Sequence, residues 1–287
     1  MSVAQKINRP ALRYPGGKWL LAPWIIEHFP PHRIYTEAFG GAASVLMQKP
    51  RCYAEVYNDL DGEVVNLFRI LREPAAARRL LTLLALTPFS RKEFQLSYEP
   101  GDDEIEQARR TIIRSFMGFG SDGAAGKSTG FRANSNRSGT TPAQDWANYP
   151  PEISAFIERL QGVVIESRPA CKLLRQHDGE ETLHYVDPPY PLSTRHGKLY
   201  RHEMTDEDHE LLAFTLHDLK GMVVLSGYDC QLYRDILFPS WQRVERRALA
   251  DGARERIEVL WFNPAAWDAL QLSRAQRQLF GEVPMGG

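Results

Sequence analysis

Short apolar runs with strand-like composition recur along the chain, and segments with helical periodicity separate them. This alternation favours an α/β fold with a mostly parallel sheet. We expect helices to cover both faces of that sheet. The predicted strands are residues 34–39, 52–57, 162–166, 182–186, 222–226 and 257–262. The predicted helices are residues 19–29, 62–71, 75–84, 105–116 and 206–219, the last beginning at Thr205 with Asp208 as a capping box.

The alternation is interrupted between residues 72 and 161. Two helical stretches there flank residues 118–139, which are rich in Gly, Ser, Asn and Thr and therefore favour loops. We expect one α/β domain formed by residues 1–71 and 162–287, and an inserted, mainly helical domain at residues 72–161. The tail after Ser273 has the polar composition of an irregular segment.

Composition is that of a folded globular protein, since 43% of the 287 residues are hydrophobic and 25% are charged. With 35 Lys and Arg against 36 Asp and Glu, the global charge gives no hint of a nucleic-acid partner. One stretch of the chain is nevertheless strongly basic. Between Arg109 and Arg137 six basic residues face one acid, Asp122, and three phenylalanines lie among them.

Cysteine usage and hydropathy indicate the cellular compartment. Cys52, Cys171 and Cys230 are far apart and form no CxxC pair, which predicts reduced thiols. The apolar runs are far shorter than the ~20 residues that a membrane-spanning helix needs. No HExxH spacing occurs among the eight histidines. We therefore expect a cytoplasmic protein without a membrane span and without a bound metal.

The most specific motif is Asp187-Pro188-Pro189-Tyr190, directly after the predicted strand 182–186. Two successive prolines lock the backbone and remove two N–H donors while leaving carbonyl acceptors. Asp187 and the Pro188 carbonyl are therefore suited to accept both protons of an exocyclic amine on a base, and Tyr190 to stack on that base. A strand-closing turn with a solvated Asp is the alternative interpretation.

Two further turns are weaker signals. The strand at residues 34–39 leads into Gly40 and Gly41, and small residues at a first strand-to-helix turn let a nucleotide approach the backbone. Asn58-Asp59 ends the next strand, where an acid typically meets ribose hydroxyls. Residues 13–18 place Gly-Gly before Lys18. Each of these segments alone also fits an ordinary turn.

Together and in this order, these motifs resemble the D12 class of DNA adenine-N6 methyltransferases, the Dam-like family. The resemblance covers most of the chain, and it implies a Rossmann-like methyltransferase sheet that uses S-adenosyl-L-methionine (SAM) to methylate a flipped-out adenine in double-stranded DNA. It implies catalytic roles for Asp187, Pro188, Pro189 and Tyr190. The cofactor-binding residues that it implies are Tyr14, Gly17, Lys18, Phe39, Gly40, Gly41, Ser44, Asn58, Asp59 and Asp187.

By the same resemblance the insert is the target-recognition region, with DNA contacts expected from Arg114, Phe119, Lys127, Arg132 and Arg137. One departure concerns the strand at residues 162–166. Relatives typically have an acid after it that is directed at the cofactor's adenine, whereas Ser167, Arg168 and Pro169 stand here. The DNA sequence recognised and the choice between monomer and homodimer stay open.

Other function classes fit parts of the chain. Residues 121–128 differ from the P-loop pattern GxxxxGK[ST] only in Ser121, so an NTPase acting on nucleic acid is the rival enzyme class. No strand-like run precedes Ser121, which counts against it. The Asp187 motif also suits cytosine N4, an RNA base or a protein amide, and a DNA-binding protein without enzymatic activity is a further alternative.

Overall fold

The computed structural model describes residues 6–134, 136, 139–194, 197, 199–250 and 254–280. Its strands form one seven-stranded sheet in the order β3-β2-β1-β4-β5-β7-β6. The first five run parallel, and β7 runs antiparallel to both of its neighbours. The strands are β1 (Ile34–Glu37), β2 (Ala54–Asn58), β3 (Val163–Glu166), β4 (Thr182–Val186), β5 (Met222–Tyr228), β6 (Gln242–Ala250) and β7 (Arg254–Phe262).

Helices precede, connect and follow the strands. Many begin with a side-chain cap, as at Asp61, Ser90 and Asp103. The predicted capping box of Thr205 and Asp208 is confirmed. The helices are α1 (Ala22–Glu27), α2 (Ser44–Gln48), α3 (Gly62–Arg72), α4 (Pro74–Leu86), α5 (Arg91–Leu96), α6 (Glu104–Met117), α7 (Pro142–Ala147), α8 (Ile153–Leu160), α9 (Ala170–Gln176), α10 (Asp206–Asp218) and α11 (Pro264–Phe280).

Successive side chains of a strand point to opposite faces of the sheet, so the sheet has two cores. Tyr57 and Leu260 belong to one core, which is covered by residues of α1 to α4, α6, α8 and α11. Val56 and Val259 belong to the other, which is covered by α9, α10 and a π-helical turn at Leu232–Leu237. The prediction of an α/β fold with a mostly parallel sheet and helices on both faces is confirmed.

Several elements differ from the sequence-based prediction, which did not include the short helices α2, α5, α7, α8 and α9. Strand β6 was not predicted, because its charged residues hide the apolar alternation; it is the edge strand of the sheet and much of it is exposed. Helix α11 extends to Phe280, so the prediction of an irregular tail after Ser273 is wrong up to that residue.

The middle segment of the chain is mainly helical, with α4 to α8. Its buried side chains, such as Leu80, Ile112 and Phe156, belong to the same core as Val64 and Phe68 of α3, which lies against the sheet. The boundaries at residues 71 and 161 therefore stay a prediction about sequence organisation, since no separate core marks them.

Candidate active site

A cavity of about 300 Å³ opens at the carboxyl ends of β1, β2 and β4. The strand order reverses between β1 and β4, and open α/β sheets typically bind ligands at such a point. All of the residues that the resemblance implies for the cofactor line this cavity. They are Tyr14, Gly17, Lys18, Phe39, Gly40, Gly41, Ser44, Asn58, Asp59 and Asp187.

The turn after β1 forms the floor of the cavity, and its backbone requires small residues. A β carbon on Gly40 would lie 2.1 Å from the ring of Tyr57, whose hydroxyl donates to the Gly41 carbonyl at 2.7 Å. Gly41 and Ala43 have φ angles of 46° and 53°, in the left-handed region that glycine tolerates best. This turn leaves room for a ligand beside the main chain.

Asp59 holds that turn from the end of β2. One of its carboxylate oxygens accepts the Gly41 N–H at 2.7 Å and the other accepts the Asp61 N–H at 2.7 Å. Burial raises the pKa of Asp59, although these hydrogen bonds oppose that effect. The Asn58 side chain makes its hydrogen bonds to other backbone segments. Its amide nitrogen donates to the Ala38 and Arg168 carbonyls, and its amide oxygen accepts the Arg168 N–H. Asn58 thus positions the strand ends that line the cavity.

Asp187, at the end of β4, forms an ion pair with Lys18, with 3.0 Å between Nζ and Oδ2. Burial favours a lower pKa for Lys18, but Asp187 and Glu258 outweigh it and raise that pKa. The second Asp187 oxygen, Oδ1, is buried and has no hydrogen-bond partner among the residues that the structure describes. A buried acceptor without a partner is costly, so this atom is suited to receive a donor from a ligand.

The Tyr190 side chain has several partners inside the protein. Its hydroxyl donates to Glu258 at 2.9 Å, its ring packs edge-on to Tyr228 at 4.4 Å, and Lys18 Nζ lies 4.8 Å from the ring centroid. The side chain is only 5% exposed. Asp187 and Pro189 are among the residues that line the described cavity, and Pro188 and Tyr190 are their buried neighbours in the chain. That Tyr190 stacks on a base stays a prediction; in this structure its ring packs against Tyr228 and beside the Lys18 ammonium.

The sequence analysis missed Glu37, an acid at the end of β1 that lines the cavity. Its carboxylate accepts from the Tyr35 hydroxyl at 2.8 Å and from the Leu46 N–H at 2.9 Å. Burial raises the pKa of Glu37 to about 8, and the two hydrogen bonds oppose that shift. The position of Glu37 just before the small-residue turn, at the end of a predicted strand, was the sequence feature that could have identified it as a site residue.

The segment after β3 forms the opposite wall of the cavity. Pro169, Ala170 and Cys171 line the cavity, and Leu211 and Leu212 of α10 line it as well. This wall is mainly apolar and is suited to the face of a flat ring. A further part of the lining is formed by Tyr200, His202, Glu203 and Met204, which no local motif identified.

The residues expected to contact DNA differ strongly in exposure. Phe119 is 75% exposed. Phe119 and Arg132 lie on two segments that pair through backbone hydrogen bonds, Phe119 N to Gly130 O at 2.7 Å and Arg132 N to Met117 O at 2.8 Å. Lys127 is half-buried, and Arg137 lies outside the described residues.

Arg114 requires a correction. It is 3% exposed and binds the Ser97 carbonyl and the Glu63 carboxylate inside the protein. Arg132 also has internal partners, the Phe116 carbonyl at 2.8 Å and Asp145 at 3.7 Å. Arg114 is therefore a buried structural cation, and it is withdrawn from the DNA-binding set.

The P-loop interpretation is wrong as well. A P-loop follows a buried strand and begins a helix. Here α6 precedes the segment, and Asp122–Ala125 forms a single 3₁₀ turn that ends at Gly126.

Within the described part of the chain, no helix is both long and apolar enough to cross a lipid bilayer. The same residues contain no group of three or more His, Cys, Asp or Glu side chains arranged for a metal ion.

Comparison with known proteins agrees with the geometry of the site. The chain matches the model of the D12 class N6 adenine-specific DNA methyltransferase family over residues 14–248. It is 28% identical over 246 residues to a DNA adenine methylase of Serratia marcescens, with 80% of this chain and 87% of that relative covered. The matched range includes every motif that lines the cavity. The chain therefore belongs to the D12 class of N6 adenine-specific DNA methyltransferases and is an enzyme that methylates adenine in DNA.

Proposed function

We propose that the cavity binds SAM and that the Asp187 motif beside it binds the target adenine. The carboxylates of Glu37, Asp59, Asp61 and Asp187 face or border the cavity. Lys18 pairs with Asp187, and Arg201 lies 3.6 Å from Asp61. Burial raises the pKa values of Asp59 and Glu37, so a cation beside them favours their ionised forms. SAM carries a sulfonium and an amino group against one carboxylate, so its net positive charge complements this lining. The unpartnered Asp187 Oδ1 is the observation that best supports a donor ligand at this position.

We place the adenosine part of SAM between the acidic and the apolar wall. Asp59 is suited to accept the ribose hydroxyls. The wall formed by Pro169, Cys171 and Leu212 is suited to pack against the adenine ring. The turn at Gly40 and Gly41 leaves space for the methionine part next to Glu37. In this arrangement the cation of the ligand lies near the carboxyl end of β1.

The methyl transfer depends on the acceptors at residues 187 and 188. The target base is flipped out of the duplex so that its N6 reaches Asp187. Asp187 Oδ1 and the Pro188 carbonyl each accept one N6–H, which draws the nitrogen toward tetrahedral geometry and stabilises its growing positive charge. SAM supplies an electrophilic methyl group on its sulfonium. The N6–C bond forms as the C–S bond breaks, and the surplus N6 proton leaves to solvent or to Asp187.

Lys18 holds Asp187 in its ionised form during this step. The ion pair opposes the rise in the Asp187 pKa that burial causes. With its own pKa raised, Lys18 stays protonated and is not a proton acceptor. We therefore assign Lys18 an orienting role, with Tyr190 and Glu258 fixing its position.

For the DNA interface we propose the Gly-rich segment between Phe119 and Arg132. Lys127 is suited to contact phosphates, which position the protein without reading sequence, while Arg132, held by the Phe116 carbonyl and near Asp145, braces the segment. The exposed Phe119 ring is suited to contact or wedge against a base. Arg137 stays an expectation from the sequence.

Thiol protection tests the cavity assignment directly. Cys171 lines the cavity, while Cys52 and Cys230 do not line it and are also free and partly exposed. We expect saturating SAM or S-adenosylhomocysteine to slow alkylation of Cys171 while alkylation of the other two thiols is unchanged, as measured by mass spectrometry. Equal rates at Cys171 with and without ligand would place SAM elsewhere.

A further inference from the structure

Arg201 connects the wall of the cavity to helix α3. Its neighbours Tyr200 and His202 line the cavity, but its own guanidinium reaches the start of α3. There Nη2 lies 3.0 Å from Glu63 Oε1, and Nε lies 3.6 Å from Asp61 Oδ1. Asp61 in turn accepts a hydrogen bond from the Tyr14 hydroxyl at 3.3 Å, inside the cavity.

Hydrogen bonds within residues 199–204 hold this part of the cavity wall together. The Glu203 carboxylate accepts the N–H groups of Leu199 at 2.5 Å and Tyr200 at 2.8 Å. Tyr200 lies against Gly16, where an added β carbon would come within 2.1 Å of the tyrosine hydroxyl. Any shift of Arg201 therefore moves the side chains that set the width of the cavity.

Glu63 joins this wall to the segment proposed to bind DNA. Its Oε1 faces Arg201, while its Oε2 accepts from Arg114 and from the Thr111 hydroxyl. Arg114 and Thr111 lie near the end of α6, which leads directly into the Gly-rich segment. One carboxylate thus connects the cavity wall with the helix that carries that segment.

Arg201 also contacts the Gly-rich segment itself. A β carbon on Gly126 would lie 2.6 Å from Arg201 Nη2, so the guanidinium packs against that backbone. Next to it the Tyr98 hydroxyl donates to the Lys127 carbonyl and accepts the Thr129 N–H, both at 3.1 Å. If DNA displaced the backbone at Gly126, the guanidinium of Arg201 would therefore have to move with it.

Resting on the proposed function, we propose that Arg201 is a positioning residue that couples the two ligand sites. DNA held by the Gly-rich segment fixes Arg201, and Arg201 fixes residues 199–204 against the bound cofactor. DNA then raises the affinity for the cofactor, and the cofactor raises the affinity for DNA by the same factor, because such coupling is reciprocal. Typical couplings correspond to roughly 5–150-fold changes in affinity.

The test measures the Kd of S-adenosylhomocysteine, which cannot donate a methyl group, with and without saturating sheared bacterial DNA that lacks adenine methylation. For the unaltered enzyme we expect DNA to lower this Kd at least about fivefold. In Arg201→Met, which keeps the aliphatic stem, the ratio of the two Kd values should fall to about one, and Arg201→Lys should restore part of it. The reverse ratio, for DNA with and without ligand, should change equally.

Arg33→Ala is the matched control. Arg33 also pairs with a carboxylate, Glu181 at 3.7 Å, and it stacks on Tyr53, but it directly precedes β1 and so lies at the amino ends of the strands, opposite the cavity. We expect this variant to keep the ratio of the unaltered enzyme. An Arg201→Met enzyme with a lowered Tm but an unchanged ratio would show a purely structural role and overturn the proposal, as would a ratio of one in the unaltered enzyme. If the unaltered enzyme bound no S-adenosylhomocysteine at all, the cavity assignment itself would be overturned.

Discussion

The cavity and the Gly-rich segment of the same enzyme differ in how their polar groups are held. In the cavity, Asp59 is fixed by two backbone N–H groups and Asp187 by Lys18. In the segment, Phe119 points into solvent and Asp122–Ala125 forms only one short turn. A reaction centre needs groups fixed before the substrate arrives, whereas a phosphate contact tolerates adjustment.

Charge carries different information in the two regions. In the cavity the carboxylates border space that a cationic ligand can fill. The number of arginines in residues 109–137 overstates the positive charge at the surface of the Gly-rich segment, because Arg114 is buried and forms an ion pair with Glu63. The position of a charge relative to its internal partners, more than its number, decides whether it is offered to a ligand.

The largest effect should come from the reaction centre. We expect Asp187→Ala to lower the methylation rate by at least about 10³-fold, because it removes the acceptor that stabilises charge on N6. The measurement is transfer of label from SAM to N6-methyladenine. Since the change also leaves Lys18 buried without its partner, Asp187→Asn and a Tm measurement serve as folding controls. Near-normal methylation by a folded Asp187 variant would refute the mechanism.

Arg114 and Lys127 compare a fully buried cation with a half-buried one in the segment proposed to bind DNA. Arg114→Met leaves Glu63 with Arg201 as its cation and removes the donor to the Ser97 carbonyl, so we expect a loss of about 1–3 kcal/mol of unfolding free energy. It should leave the salt dependence of DNA binding unchanged. Lys127→Ala should instead lower the slope of log K against log salt by about 0.9, the value for one phosphate contact. Salt titrations and denaturant unfolding of both variants check this, and reversed outcomes would contradict the distinction.

Substitutions at Gly40 in the cavity floor and at Gly130 in the Gly-rich segment test how tightly the backbone of each region is packed. Gly40→Ala would force a methyl group into the ring of Tyr57, so we expect a loss of about 1–3 kcal/mol in unfolding free energy and weaker SAM binding. Gly130→Ala is the control, since a β carbon there meets nothing within 4 Å. Its unfolding free energy should change by no more than about 0.5 kcal/mol. Equal losses in thermal or denaturant unfolding would show that the floor of the cavity is not specially constrained.

The smallest effect concerns pH. Below its pKa of about 8, Glu37 carries a proton, and a cationic ligand beside it favours the carboxylate. SAM binding should therefore release that proton, and its Kd should fall about fivefold as the pH rises from 7 to 8. The amino group of SAM titrates in the same range, so Glu37→Gln isolates the contribution of the protein. Identical pH profiles for both enzymes would exclude Glu37 from the cation site.

The fold was predictable where local patterning is strong. Strands β1 to β5 and β7 carry apolar runs that the sequence displays, whereas β6 is a charged edge strand in which Glu245, Arg246 and Arg247 hide the alternation. The polar end of α11 hid its helical character in the same way. Pattern therefore identified the apolar strands and the longer helices better than the charged edge strand and short helices such as α2, α8 and α9.

The site was predictable where its residues are neighbours in the chain. Residues 39–41, 58–59 and 187–190 stand in short strings at strand ends, and parallel strands bring those ends together. Tyr200 and Cys171 come to the cavity through tertiary packing, and no string marks them. Arg114 and Glu63 are 51 residues apart, so nothing in the composition of the basic stretch revealed that they pair.

The most direct test of methyl transfer from SAM to adenine is incubation of the purified protein with methyl-labelled SAM and unmethylated bacterial DNA, followed by digestion to nucleosides. We expect label in N6-methyladenine, and at least about 10³-fold less label with Asp187→Ala. Label in N4-methylcytosine, or no transfer from SAM to DNA by the unaltered enzyme, would contradict that expectation.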